Sequence, residues 1–150
     1  MPLFSRCAMS TPSPIPTGKP AQIPAPSTDP PTLIAAGAQI SDAPVVRYLQ
    51  TLLETAVMRS ASDLHLEPQP DALQVRLRID GRLQHASTAP IDLGRRVATR
   101  IKVLSRLDIA ERRLPQDGHF RSWIDGRAID FRVATLPTMH GEKLLLRVLD

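Results

Sequence analysis

From Val45 the apolar residues recur at Val45/Val46, Leu49, Leu52/Leu53 and Ala56/Val57, which is one face of an α-helix, while Arg47, Gln50, Thr51 and Glu54 fall on the other. The spacing predicts a helix that ends near Ser60, with Ser41 or Asp42 available as its cap and Pro44 tolerated in the first turn. In the next segment, ASDLHLEP, Leu64 and Leu66 alternate with Asp63, His65 and Glu67, so a short strand carries three polar groups on one face until Pro68 and Pro70 end it. Leu73, Val75, Leu77 and Ile79 then alternate with Gln74, Arg76, Arg78 and Asp80. Asp80-Gly81 supplies the backbone freedom for a tight hairpin turn into a partner strand from Arg82 to Ser87.

A second helical stripe follows, with Asp92 as its expected cap. Leu93, Val97, Ile101, Leu104 and Leu107 form its inner face, and Arg95, Arg96, Arg100, Lys102 and Arg106 surround it. Beyond a charged connector, a second hairpin runs from about His119 to Ile124, turns at Asp125-Gly126 and returns from Arg127 to Thr135. The last strand, KLLLRVL, reads as apolar on both faces and therefore as central. Helix, strand, hairpin, helix, hairpin, strand is the order of an α+β fold: a mostly antiparallel sheet with helices packed on one face.

Composition confines this domain to part of the chain. Of 15 prolines, 10 lie in residues 1–44, a stretch whose only charges are Arg6, Lys19, Asp29 and Asp42. It reads as a disordered Pro-rich leader, leaving residues 45–150 as the folded domain with the whole net charge of +4. So small a surplus supports an anionic ligand or an acidic partner. Nucleic acid is not expected, because the five aromatic residues are not interleaved with the basic ones as stacking platforms. Cys7 is the only cysteine, so no disulfide forms within the chain and a reducing cytoplasm fits. The first residues lack a signal-peptide pattern and no later apolar run could span a bilayer.

Three groups of residues carry candidate chemistry. Asp63, His65 and Glu67 are metal-ligand types, but same-face neighbours on a strand stand roughly 7 Å apart, so the row is expected to fix the first helix or a loop by hydrogen bonds, and no metal is expected. The remaining histidines sit on separate elements. His140-Gly141-Glu142-Lys143 is not the long glycine-rich loop that wraps phosphates, so no catalytic site is expected within the chain. The arginines matter more: Arg76 and Arg78 share the polar face of one strand, Arg132 occupies that of another, and Arg121 lies near the start of the second hairpin. Guanidinium groups on rigid strands suit bidentate contacts to phosphate or carboxylate, and the alternative is a solvated face paired to Asp80, Asp130 or Glu67. The connector Leu107–Gly118, with Asp108, Glu111, Arg112, Arg113 and Asp117, is suited to gripping an anion or a neighbouring domain.

Four blocks, ASDLHLEP, VRLRIDGRL, RIKVLSRLDIAERRLPQDG and FRVATLPTMHGEKLLLRVLD, resemble in order and spacing the domain that precedes the motor core in the ATPases of type II secretion and type IV pilus assembly. The resemblance covers residues 45–150 and implies a PAS-like module joined to a RecA-like core that binds ATP with Mg; none of the core motifs is present here. It implies that this chain, a fragment or a free-standing copy of the module, does not hydrolyse ATP alone. It further implies a ring oligomer, a RecA-like core or full-length paralogue as partner, and an indirect link to inner-membrane platform proteins from the cytoplasm. The family module offers arginines to the nucleotide phosphates, as an arginine finger does. Carried over by position, Arg132 is the best match, with Arg78 and Arg121 as further phosphate-facing candidates. The second family arginine, after the Pro-Gln-Asp-Gly turn, is replaced by His119, whose imidazole makes no fork contact. The proline-rich leader stands where larger members carry a platform-docking helical domain. Another class of function compatible with the residues is a free-standing PAS-like interaction or ligand-sensing module.

Overall fold

A computed structural model describes residues 42–150. The elements follow in the order α1 (Ala43–Met58), β1 (Asp63–Pro68), β2 (Ala72–Ile79), β3 (Arg82–Pro90), α2 (Ile91–Leu104), β4 (Gln116–Ile124), β5 (Arg127–Thr138) and β6 (Gly141–Leu149). The strands form one antiparallel sheet in the order β3-β2-β1-β6-β5-β4, with β6 central as its sequence implies. This is the expected α+β fold, and residues from both helices and all six strands join one apolar cluster.

Strand alternation builds that cluster. Leu73, Val75 and Leu77 of β2, Leu64 and Leu66 of β1, Leu144 and Leu146 of β6, Phe131 and Val133 of β5, and Phe120 of β4 are buried against α1 residues Val45, Leu49, Leu52 and Leu53 and α2 residues Val97 and Ile101. Fully burying each such side chain contributes about 1.5–3 kcal/mol. Phe120 and Phe131, directly opposed across β4 and β5, stack with ring centroids 5.1 Å apart. Tyr48 Oη and Ser87 Oγ, 2.8 Å apart, link α1 to β3. Both hairpin turns use positive φ at the predicted pairs, Asp80 (49°) with Gly81 (76°) and Asp125 (50°) with Gly126 (71°).

Several local expectations are corrected. Asp42 is the residue before α1 but makes no capping bond; its carboxylate instead accepts from Arg96 Nη2 at 3.1 Å, while Ser41 and the leader residues 1–41 lie outside the described residues. The helix α1 ends at Met58, near Ser60 as expected, and Ser60 itself has φ 51°. Pro90, not Asp92, occupies the cap position of α2; Asp92 lies in the first turn, where its charge complements the helix dipole. Leu107 lies beyond the end of α2 yet still packs on the core. Lys102 points inward and is 2% exposed, contrary to a place on the charged surround. Strand β3 continues past Ser87 to Pro90, and β4 begins at Gln116, inside the charged connector, where a Cβ on Gly118 would come within 2.8 Å of the Ser105 carbonyl oxygen.

Candidate anion-facing groove

Because the helices cover one face of the sheet, the alternate strand positions form the opposite face. There the register sets five residues in a row across five strands: Arg78 opposes Asp63, Asp63 opposes Arg147, Arg147 opposes Arg132, and Arg132 opposes His119. A neighbouring row holds Arg76, His65, Leu145, Ala134 and Asp117. A concavity of about 750 Å³ opens over the β4-β5-β6 end of this face, lined among others by His119, Arg121, Asp130, Arg132 and Arg147.

The three arginine candidates share this face but not the same freedom. Arg121 is engaged by Asp130, with Nε and Nη2 donating to its two carboxylate oxygens at 2.7 and 2.9 Å. That partner raises the Arg121 pKa, and the Arg121 bond in turn lowers that of Asp130. Arg78 stands at the far end of the row, its Nε 3.5 Å from Asp63 Oδ2 and its Nη1 donating to the Gly81 carbonyl at 3.1 Å. Arg132 is exposed and makes no hydrogen bond or ion pair among the described residues. Arg132 and Arg121 thus line one groove, while Arg78 stands outside it.

The row Asp63, His65, Glu67 does not fix a helix or a loop, as its sequence was read to do; it pairs with the two flanking strands. Asp63 accepts from Arg147 Nε at 3.1 Å and from Ser62 Oγ at 2.9 Å. Glu67 accepts from Arg76 Nη2 at 2.6 Å and lies 2.8 Å from Lys143 Nζ. Burial works to raise both carboxyl pKa values, but these hydrogen bonds and the neighbouring cations outweigh it and hold both below their ordinary values. His65 between them is 7% exposed, and neither ring nitrogen has a hydrogen-bond partner among the described residues. Burial, reinforced by the Lys143 charge, pushes its pKa down.

Two acids of the charged connector bond back onto the connector itself. Asp108 accepts from the Ala110 amide at 2.8 Å, and Glu111 from the amides of Arg113 and Leu114 at 2.7 and 3.2 Å. Gln116 bonds both the amide and the carbonyl of Asp108, at 2.8 and 3.0 Å. Arg106, Arg112 and Arg113 remain exposed. Two residues that matter here escaped the sequence reading: Arg147, whose signal was its alternation with Leu144, Leu146 and Val148 in β6, and Lys102, whose buried position no polar pattern announces.

The fold and groove define an α+β domain with an arginine-bearing open sheet face. The family model described as type II/IV secretion system protein matches residues 38–150, and the chain belongs to that family. It is 48% identical over 110 residues to the type IV pilus assembly ATPase PilB of Acinetobacter baylyi, covering 73% of this chain and 19% of that protein. Against the PilB of Pseudomonas aeruginosa the identity is 46% over 125 residues, covering 83% and 22%. The type II secretion system protein E of Pseudomonas aeruginosa is 45% identical over 112 residues, covering 75% and 22%. The chain therefore spans about a fifth of the length of these relatives. Among the described residues no helix is long and apolar enough to cross a membrane.

Proposed function

We propose that this chain serves as the non-catalytic, nucleotide-proximal domain of a type II secretion or type IV pilus assembly ATPase, acting against a RecA-like motor core and neighbouring subunits in a ring. The observation that carries this reading is Arg132: exposed, unpaired and in a groove rich in cations, on the strand FRVATLP that carries the family resemblance. A guanidinium on a rigid central hairpin can meet phosphate oxygens in a fork, stabilising charge without covalent chemistry. ATP with Mg would be held by the core, and Arg132 would approach the phosphates from this domain. Arg121 needs to release Asp130 to take the same part, and Arg78 needs to leave the Gly81 turn. A PAS-like module of this kind works in the cytoplasm, reaching the inner membrane only through platform proteins.

Mixing experiments test this. Purified chain added to full-length Acinetobacter baylyi PilB is expected to show no ATPase activity of its own but to change the rate or oligomeric state of the motor, with Arg132→Ala abolishing the effect on rate. No effect at any ratio would refute the proposal.

A further inference from the structure

We propose that the pocket between α2, the Leu107–Gly118 connector and the β5–β6 turn is the docking site of this chain's own leader, with Leu33 and Ile34 entering the pocket and Asp29 on its cationic rim. The inference is independent of the nucleotide-proximal reading above.

The pocket specifies its occupant by size and charge. It encloses about 140 Å³, and at roughly 30 Å³ per water this is room for one branched aliphatic side chain. Leu73, Ile91, Ala98 and Ile109 supply its apolar wall, and Ile109 is left 48% exposed. The only carboxylate in its lining, that of Glu142, is already held by Lys102 Nζ at 2.9 and 3.0 Å. Arg95 and Arg112 therefore leave the rim with an excess of positive charge. Arg95 comes no closer than 3.8 Å to Asp92, with both side chains largely exposed, and the Arg112 side chain makes no hydrogen bond or ion pair among the described residues. The fitting ligand is an aliphatic side chain with a carboxylate close by.

The leader carries both within six residues. Asp29 is its only carboxylate before Asp42, and Leu33-Ile34 follows four residues later. Pro30 and Pro31 between them restrict the backbone, which lowers the ordering cost of binding. The attachment point also fits. Asp42 accepts from Arg96 of α2 at 3.1 Å, so the chain arrives beside the helix whose adjoining face lines the pocket. The eight residues from Ile34 to Asp42 span at most about 28 Å, against a helix diameter of about 10–12 Å, so Ile34 reaches across α2. One side chain and one exposed ion pair hold a free ligand weakly. A tethered segment has an effective concentration of about millimolar, and so small a site favours that kind of occupant.

The test uses the full chain carrying Cys7→Ser and Ala36→Cys, with a nitroxide on the new thiol and backbone amide signals as the readout. Loss of signal is expected at Ile109, Arg112 and His140, with the Asp125-Gly126 turn at the other end of β5 unaffected. Adding Leu33→Asp with Ile34→Asp is expected to restore the pocket signals, and Asp29→Arg to restore them in part. Arg112→Asp in the Asp29→Arg background returns the opposite charges and is expected to bring the loss back. These leader changes lie outside the core, so a fold defect does not obscure the outcome. Pocket signals that are never lost, or are lost equally with and without Leu33→Asp and Ile34→Asp, overturn the proposal. Should the pocket amides shift with an added acidic peptide of unrelated sequence while ignoring every leader change, the site belongs to an outside partner and the leader assignment falls.

Discussion

Lys102→Met is the most decisive perturbation of the fold, because it removes a charge that the structure has buried with its partner. Lys102 is 2% exposed, and its Nζ donates to both carboxylate oxygens of Glu142 at 2.9 and 3.0 Å and to the Glu111 carbonyl at 2.6 Å. These bonds tie α2, the connector and the β5–β6 turn together. Methionine has nearly the same length and no charge, so the substitution leaves Glu142, whose side chain is 11% exposed, without its cation. Breaking one side of a buried pair costs about 3–5 kcal/mol. Partial water access to Glu142, and the remaining 3.3 Å contact from Gln116 Nε2 to the Glu111 carbonyl, place this case near the lower end, about 3 kcal/mol. Replacing both partners, Lys102→Met with Glu142→Leu, removes the stranded charge and is expected to return stability to within about 1 kcal/mol of native. Urea unfolding followed by Trp123 fluorescence and far-ultraviolet dichroism reads this directly. With a slope of about 1.5–2 kcal/mol per molar, the single variant shifts the midpoint down by about 1.5–2 M. A single variant within about 1 kcal/mol of native, or a double variant as weak as the single, would show that the pair does not hold these elements together.

Two further predictions follow from packing and titration. A Cβ on Gly94 would lie 2.7 Å from Leu73 Cβ, so Gly94→Ala pushes α2 off β2; an overpacking cost of about 1–3 kcal/mol exceeds the gain of about 1 kcal/mol in helix propensity, and thermal melts should show net destabilisation. His65, Asp63 and Glu67 all have folded pKa values below their ordinary ones. Between the folded and unfolded pKa the unfolded state binds more protons, so the stability each contributes is present above the unfolded value and is lost as pH falls toward the folded one. Stability is therefore expected to decline first as pH drops through about 6.5, from His65, and again below about 4.5, from the carboxylates. His65→Leu should flatten the first decline and leave the second; an unchanged profile would remove His65 from the account.

Much of this was legible in the chain. The alternation in residues 73–79, the two Asp-Gly pairs and the stripe from Val45 to Val57 named their elements, because period and turn chemistry are local properties. Arg132 was legible through its place on a polar strand face within the resemblance to secretion ATPases. Its lack of a partner was not. Whether a strand arginine is spent depends on which carboxylate the neighbouring strand brings opposite, and one pairing decides that for Arg121 with Asp130 and for Arg147 with Asp63. The same limit misplaced the Asp63 row, read as fixing a helix or a loop when the flanking strands claim its carboxylates.

By itself, then, the sequence determined the elements, the fold class and the family, all of which rest on contacts between near neighbours or on residues read in order. Only the tertiary structure decided that β6 inserts between β1 and β5, and this sets Arg147 beside Arg132 and against Asp63. It alone turned Lys102 inward to meet Glu142, 40 residues away. Long-range strand order and burial assign each charge its partner, and no periodicity along the chain encodes them.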